Sequence, residues 1–276
     1  MRCGIISFST GNDPSEFLNP RVSSPASSDT TEVRAIVNGE RTAKASQPWT
    51  VALGNLQPGT ERVQFVCGGS LVSLTSVLTS AHCLDHLGGH TVVLLGQTDL
   101  AREEAGTQVR TVQRSLVHPD WSGSAHHDLA LLYLDSPVTP TDRVRPVCLP
   151  APSHTASRGL ISGWGRLYSG GPAVSELRTG EVEILTAGDC LHMFPHLARA
   201  GGVLCARGLQ TGRSSLATDA CQGDSGGPLV TEDDITGLWR LAGVVTAGKG
   251  CGQYPGVYVS VRHHLDWIHQ HLVSPQ

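Results

Sequence analysis

A serine surrounded by glycines is the sharpest chemical feature of this sequence. Residues 223–228 read GDSGGP, and glycines allow a tight backbone that can expose the hydroxyl of Ser225 and aim N–H groups at one point. A nucleophile beside such donors is what acyl transfer requires. Taken alone, the run could equally be an ordinary glycine-rich turn.

A serine nucleophile needs a base, and the base needs an acid that orients it. His82 stands next to Cys83, which a disulfide can hold in place. Asp128 opens the apolar run DLALLYL, where a buried carboxylate can fix an imidazole tautomer through one hydrogen bond. Each residue has a plainer interpretation, because the chain has 13 histidines and Asp128 could simply begin a strand.

The elements that would position these residues are short and β-like. Gly, Pro, Asn or Asp separate most of the runs, a pattern typical of a sandwich or barrel. The predicted strands cover residues 50–53, 64–66, 70–73, 91–96, 109–117, 128–134, 159–163, 180–185, 239–246 and 256–261. Two helices are also predicted, a short one capped at Thr186 and an amphipathic one after Arg262.

Composition narrows the class of protein. The chain has 276 residues and a formal net charge of −4, so it lacks the basic excess that gripping nucleic acid or an anionic membrane requires. No stretch approaches the ~20 apolar residues of a membrane span. Only 16% of the residues are charged, which argues against a coiled coil. The length suits one large all-β domain or two smaller ones.

The cysteines and the first 35 residues bear on the compartment. Eight cysteines without a CxxC-type pair favour disulfides over a zinc site, and disulfides indicate an oxidising compartment. Residues 1–10 lack the apolar core of a signal peptide, so we expect a secreted protein whose true beginning is missing, rather than export by another route. Residues 9–35 are rich in Ser, Thr, Pro, Asp and Asn and indicate a linker or leader.

Together, the three motifs resemble a trypsin-like serine protease of the chymotrypsin family. The chain order His82, Asp128, Ser225 is that of the family, and the resemblance runs from Ile36 to about Leu272. It implies an all-β fold of two six-stranded antiparallel Greek-key barrels with a C-terminal helix. It also implies a flexible leader over residues 1–35, tethered by a disulfide, and a protease domain over residues 36–276.

The resemblance assigns the catalytic roles. His82 is then the general base and acid, Asp128 orients it, and Ser225 attacks the substrate. The backbone N–H groups of Gly223 and Ser225 form the oxyanion hole. We therefore expect a serine endopeptidase with polypeptide substrates, possible protein protease inhibitors as further partners, and neither a cofactor nor a metal.

Substrate preference is expected from the pocket positions of the family. Asp219 matches the floor of the primary pocket, and Gly248 and Gly256 match positions that must stay small to keep it open. A buried carboxylate selects Arg or Lys at the cleaved bond. Because Ala220 lacks the hydroxyl that some relatives carry, a lysine ammonium loses an acceptor while guanidinium can still pair bidentately. We expect Arg to be preferred over Lys.

Activation and disulfides are further implications of the resemblance. Ile36 matches the new amino terminus that zymogen cleavage creates, and its ammonium is expected to pair with Asp224. The implied disulfides are Cys67–Cys83, Cys190–Cys205, Cys221–Cys251 and Cys3–Cys148, the last of which would tether the leader.

Several positions depart from the family pattern. Ala35 separates Arg34 from Ile36, Ala247 stands where most relatives have tryptophan, and Thr246 replaces a serine that supports the catalytic aspartate. The first two keep open a catalytically weak or inactive homologue that acts as a binding or regulatory module. A disulfide-rich structural module explains the cysteines but not the triad.

A group of histidines near the end of the chain is the other candidate metal site. It comprises His263, His264, His269 and His271. No HExxH-type pattern is present, and we interpret the group as a solvated helix face rather than as a zinc site.

Overall fold

A computed structural model describes most of the chain beyond the leader. The described residues are 3, 36, 37, 39–42, 46–60, 62–151, 155–198, 201–209, 217–248 and 250–272. The predictions for residues 1–35, Cys3 apart, lie outside this part of the chain, as does Asn38. No helix formed by the described residues is long and apolar enough to cross a membrane.

Six antiparallel strands close the first barrel in the order β2-β3-β4-β7-β6-β5. Alternate residues of strands such as β2 point inward, and their apolar side chains form a core that includes Val51, Leu53 and Val93. The strands are β2 Thr50–Leu56, β3 Val63–Leu71, β4 Ser76–Thr79, β5 Thr91–Leu95, β6 Gln108–Val117 and β7 Ala130–Leu134.

The second barrel closes in the order β9-β10-β13-β12-β11-β8, because β8 also pairs with β9. The short strand β1, Glu40–Arg41, adds to the outside of β9. The prediction of two six-stranded antiparallel barrels is confirmed. The strands are β8 Arg158–Gly163, β9 Arg178–Ile184, β10 Val203–Gly208, β11 Pro228–Glu232, β12 Trp239–Ala247 and β13 Gly256–Ser260.

Both predicted helices are present. The first, α1 Ala187–Met193, begins at Thr186, whose side chain accepts a hydrogen bond from the Asp189 N–H. A short helix, α2 Pro195–Ala198, follows it. The C-terminal helix α3, Leu265–Leu272, buries Ile268 completely. Ile268 packs into a cluster that draws on strands of both barrels and so joins them.

The predicted strands differ from the observed ones at β3, and several observed strands were not predicted. Residues 64–66 and 70–73 were predicted as separate strands, but β3 runs unbroken from Val63 to Leu71. Gly68 and Gly69 do not break it. They are small because a Cβ at Gly68 would lie 3.0 Å from the Gly227 backbone and one at Gly69 2.8 Å from Val77. The strands β1, β4, β10 and β11 were not predicted.

A framework of four disulfides holds the loops between the strands. The predicted framework is confirmed, and the described residues include no free cysteine. The bonded pairs are Cys3–Cys148, Cys67–Cys83, Cys190–Cys205 and Cys221–Cys251, the pairs that the family resemblance implies.

Candidate active site

The end of β12 is where the three candidate catalytic segments meet. The Val245 carbonyl accepts a hydrogen bond from the Ser80 hydroxyl at 2.6 Å, two residues before the histidine of interest. The same carbonyl accepts the Gly226 N–H at 2.8 Å, one residue after the serine. The next residue, Thr246, donates its hydroxyl to the Asp128 carboxylate. Two consecutive residues thus bind all three segments, which are far apart in sequence.

Asp128 and His82 form a close pair at this junction. The ring Nδ1 of His82 lies 2.7 Å from Asp128 Oδ2, and the His82 backbone N–H donates to Asp128 Oδ1 at 2.8 Å. An ionised carboxylate only accepts hydrogen bonds, so Nδ1 carries a proton, and in the neutral ring Nε2 then keeps its lone pair. The Asp128 side chain is 3% exposed while that of His82 is 31% exposed, so the carboxylate is dry and the ring remains accessible.

Local structure explains why His82 is held firmly. It lies in a 3₁₀ helix, Ala81–His86, that follows β4 directly. The neighbouring residue Cys83 is buried and bonded to Cys67 on β3. The disulfide therefore anchors the loop that carries the imidazole to the wall of the first barrel.

The Ser225 loop has the tight backbone that its glycines predict. Gly223 and Gly226 have φ angles of 100° and 78°, in the region that favours glycine. The Ser225 carbonyl accepts the Gly68 N–H at 2.8 Å. A side chain at Gly226 would collide with the Thr79 hydroxyl. The loop therefore packs against the end of the strand that leads into the 3₁₀ helix.

The structure brings the serine beside the histidine segment without joining their reactive atoms. Among the described residues, no hydrogen bond links Ser225 Oγ to His82 Nε2. In free enzymes such catalytic hydrogen bonds are often long and tighten only when substrate is bound. The half-buried serine is in the segment that can make this contact.

Asp219 is a buried carboxyl in the predicted pocket. It is 2% exposed, and its Oδ2 accepts the Gly252 N–H at 2.8 Å. A Cβ at Gly256 would lie 2.9 Å from Asp219 Oδ1, whereas a Cβ at Gly248 would meet nothing within 4 Å. Ala220, beside Asp219, is half-buried. Burial raises the pKa of Asp219 to about 7.

Asp224 is a second buried carboxyl, next to the serine. Its two oxygens accept the N–H groups of Gly165 at 2.8 Å and Cys221 at 2.9 Å. Burial raises its pKa to about 7 despite these hydrogen bonds. Within the described part of the chain, no basic side chain pairs with either Asp219 or Asp224.

The segment at Ile36 lies beside the backbone of Asp219. Ile36 is fully buried in the apolar cluster that contains Leu229 and Tyr258. The Val37 N–H donates to the Asp219 carbonyl at 3.1 Å. Ile36 has a φ of 42°, a rare conformation for a β-branched residue. The segment therefore holds a strained position beside the pocket while its nitrogen is still part of a peptide bond.

One prediction about the histidines is wrong. His264 is 3% exposed rather than solvated, because the turn before α3 packs it against His118 and His127. His263 and His269 are exposed, as a solvated face requires. A second cluster of potential ligands, Cys67, His82 and Cys83, offers no thiolate because its cysteines are bonded to each other.

Three further residues hold the segments of the site in place, and none of them was predicted from the sequence. Ser80 donates its hydroxyl to the Val245 carbonyl, and Gly165 donates its backbone N–H to Asp224. A backbone group has no sequence signature. The only available signal was Ser80 itself, a polar residue two positions before His82.

Comparison with known proteins agrees with this architecture. The family model described as Trypsin matches residues 36–268. Ovochymase-2 of Mus musculus is 34% identical over 86% of this chain and 41% of its own length. The Suppressor of tumorigenicity 14 protein homolog of Bos taurus is 35% identical over 84% of this chain and 28% of its own length.

A third relative is closer to this chain in size. The Venom serine protease Bi-VSP of Bombus ignitus is 34% identical over 84% of this chain and 66% of its own length. The chain therefore spans less than half of the first two relatives and about two thirds of the third.

Proposed function

Because this chain belongs to the trypsin family of serine proteases, we propose that it is a serine endopeptidase that cleaves after Arg and, less well, Lys. The observation that carries the proposal is the 2.7 Å bond between His82 Nδ1 and Asp128 Oδ2. It leaves an accessible Nε2 with a lone pair beside the Ser225 loop, which is what a general base needs.

The reaction proceeds through an acyl-enzyme. Ser225 Oγ attacks the carbonyl carbon of the substrate while its proton passes to His82 Nε2. The N–H groups of Gly223 and Ser225 donate to the oxyanion that forms. Protonated His82 then gives its proton to the leaving amine as the peptide bond breaks. Water attacks the acyl group in the same way, with His82 taking its proton. His82 then returns this proton to Ser225 Oγ as the ester bond breaks, and the acid product leaves.

Specificity is assigned to Asp219. Its carboxyl is buried and, among the described residues, accepts only backbone N–H groups, so a substrate cation would supply a counter-charge. A guanidinium can bind the carboxylate with two parallel hydrogen bonds, whereas an ammonium would look for a further acceptor that Ala220 cannot offer. This supports Arg over Lys.

Activation is assigned to cleavage on the amino side of Ile36. The freed ammonium would pair with Asp224, whose carboxyl is 1% exposed and pairs with no cation among the described residues. Cleavage would also release the strain at Ile36, because its φ angle would no longer be tied to residue 35. Because Ala35 precedes Ile36, the activating protease would have to accept alanine on the amino side of the bond that it cleaves.

The leader and the location are also proposals. We assign residues 1–35 to a leader that stays attached through Cys3–Cys148 after cleavage, and residues 36–276 to the protease domain. Four disulfides and a venom relative support secretion. Protein protease inhibitors are further partners that an accessible triad would admit.

Replacing Ser225 tests the function directly. Amino-terminal sequencing first establishes that Ile36 begins the active chain. Hydrolysis of matched arginyl and lysyl peptides is then compared for the wild type, Ser225→Ala and the control Ser136→Ala, which alters an exposed serine. We expect Ser225→Ala alone to lose on the order of 10⁶ in turnover.

The alternative is a binding module that has little or no activity. The exposed Ala247 favours it, because an aromatic wall for substrate is missing there. An inactive wild type with Ile36 free would support this alternative and contradict the proposed function.

A further inference from the structure

Three histidines from separate parts of the chain converge directly behind the candidate catalytic acid. His118 follows β6, His127 precedes Asp128, and His264 ends the turn before α3. One ring nitrogen from each lies within 4.8 Å of the other two. The closest pair is His127 Nδ1 and His264 Nε2, at 3.0 Å.

The protonation of His264 leaves its inner nitrogen free to bind an ion. Its Nδ1 lies 2.8 Å from the Ser260 carbonyl, which can only accept a hydrogen bond. The proton is therefore on Nδ1, and the lone pair on Nε2 faces His127. A backbone carbonyl that fixes the outer nitrogen in this way is typical of histidines that bind metals.

An acidic side chain lies beside the third histidine of the group. The carboxylate of Asp120 lies 4.0 Å from His118 Nδ1 and would offset part of the charge of a cation.

His127 is held in an unfavourable backbone conformation. Its φ is 53°, one of two positive values among the described residues other than glycine, and this region is unfavourable for a residue with a Cβ. The conformation places its ring parallel to His118, with centroids 4.8 Å apart. Strain of this kind persists where the surrounding structure enforces it, and it often marks a functional site.

We propose that His118, His127 and His264 form a Zn²⁺ site, with a water molecule as the fourth ligand. Three imidazoles and an open position are a common ligand set for zinc. At a Zn–N distance of about 2.0–2.1 Å, tetrahedral ligand nitrogens lie roughly 3.3 Å apart. The rings of His118 and His127 are stacked nearly parallel, so at least one of them must rotate for their lone pairs to converge on one ion. The site is distinct from the exposed histidines on the outer face of α3.

The same contacts could represent a plain hydrogen bond, with His127 Nδ1–H donating to His264 Nε2. That pairing would satisfy both nitrogens without an ion. It predicts no saturable binding of zinc at this position, and a titration therefore separates it from the metal site.

Calorimetric titration of the untagged full chain with Zn²⁺ at pH 7.5 is the test. The variant His127→Asn removes one ligand, and Asn tolerates the positive φ. The variant His269→Asn is the control, because it alters an exposed histidine on α3. We expect one equivalent of Zn²⁺ to bind wild type and control alike, and at least tenfold weaker binding by His127→Asn.

Equal affinity of the wild type and His127→Asn, or the absence of saturable binding by the wild type, would overturn the proposal. Thermal unfolding without zinc shows whether the variant folds, and His118→Asn provides a second test of the same site. None of these readouts depends on proteolysis, so failure of the metal site is distinguishable from failure of the proposed function.

Zinc binding should also affect Asp128, and this effect rests on the proposed function. His127 is bonded to Asp128, the Leu129 N–H donates to the His127 carbonyl at 2.7 Å, and the His118 N–H donates to the Leu129 carbonyl at 2.9 Å. Because zinc binding would move the rings closer together, it should also shift the backbone on both sides of Asp128. We expect Zn²⁺ to change the hydrolysis rate with the midpoint of the binding curve. Binding without a change in rate would overturn this coupling.

Discussion

The buried carboxyls of this protein differ in their hydrogen-bond partners. Asp128 accepts hydrogen bonds from the His82 ring, the His82 backbone and the Thr246 hydroxyl. Asp219 and Asp224 are equally buried, but within the described part of the chain they accept only backbone N–H groups, and their pKa values rise to about 7. The first carboxyl is paired with an imidazole, whereas the other two pair with no cation among the residues that the structure describes.

Under the proposed function, this difference separates the residues of catalysis from those that control it. The His82–Asp128 pair depends on contacts that the barrels make when they fold, so it is present in the uncleaved chain. Under the proposed function, Asp219 pairs with a substrate guanidinium and Asp224 with the ammonium of Ile36. On this account the His82–Asp128 pair forms before cleavage, whereas the pocket is completed when cations bind.

Of these three buried carboxyls, Asp128 should have the largest effect when it is replaced. In Asp128→Asn the amide no longer stabilises the protonated ring and favours the wrong tautomer, so we expect turnover to fall on the order of 10⁴-fold. The measurement is kcat for an arginyl peptide, with the exposed Asp135→Asn as control. A loss of less than tenfold would mean that this pair does not serve catalysis.

Replacing Asp219 should abolish the preference for cationic substrates and leave the catalytic step itself intact. Leaving a substrate cation unpaired costs on the order of 2–5 kcal/mol, so Asp219→Asn should lower kcat/KM for arginyl peptides by roughly 30-fold to several thousand-fold. The measurement compares arginyl substrates with apolar ones, using the exposed Asp266→Asn as control. Equal losses for both substrate types would contradict the role of Asp219 in specificity.

The pH dependence of cation binding should report the raised pKa of Asp219. The ionised carboxylate binds the cation, and with a pKa of about 7 it becomes protonated below neutral pH. The affinity for the amidinium ligand benzamidine should fall about tenfold per pH unit below 7 and level off above it. Calorimetry at several pH values measures this. An affinity that is constant from pH 5 to 8 would show that the carboxyl is already ionised.

Asp224 should produce the smallest effect, on the stability of the uncleaved chain. Its folded pKa of about 7 lies above the ordinary value of 3.8, so between these pH values the folded state holds more protons than the unfolded state. The stability that this group contributes is therefore lost as pH rises from about 4 to 7.

A matched variant isolates that contribution. The stability cost of Asp224→Asn should be smaller at pH 8 than at pH 5, by on the order of 2 kcal/mol. Denaturant unfolding at the two pH values measures the difference. The same cost at both would mean that Asp224 has a partner in the uncleaved chain.

Sequence patterns predicted the fold well where an element has its own signal. The barrels, the Thr186 cap and the apolar face of α3 follow from local periodicity and capping. The short strand β4 has four residues and no alternation, since all four are buried. Gly68 and Gly69 looked like a break because their reason, close approach to other strands, is a tertiary contact.

The site was predictable in its residue types but not in its connections. His82, Asp128 and Ser225 stand in recognisable motifs, whereas the carbonyl of Val245 that links two of their segments has no motif. The cluster of His118, His127 and His264 was missed for the same reason. Its members lie up to 146 residues apart by number, and only the packing of the turn before α3 joins them.

Active-site titration tests the central claim most directly, namely that His82 and Asp128 activate Ser225. An arginine-directed titrant that acylates serine is added to the chain whose amino terminus has been sequenced as Ile36. The account predicts a burst close to one equivalent for the wild type and none for Ser225→Ala. An active preparation that gives no burst, or an equal burst from both proteins, would contradict it.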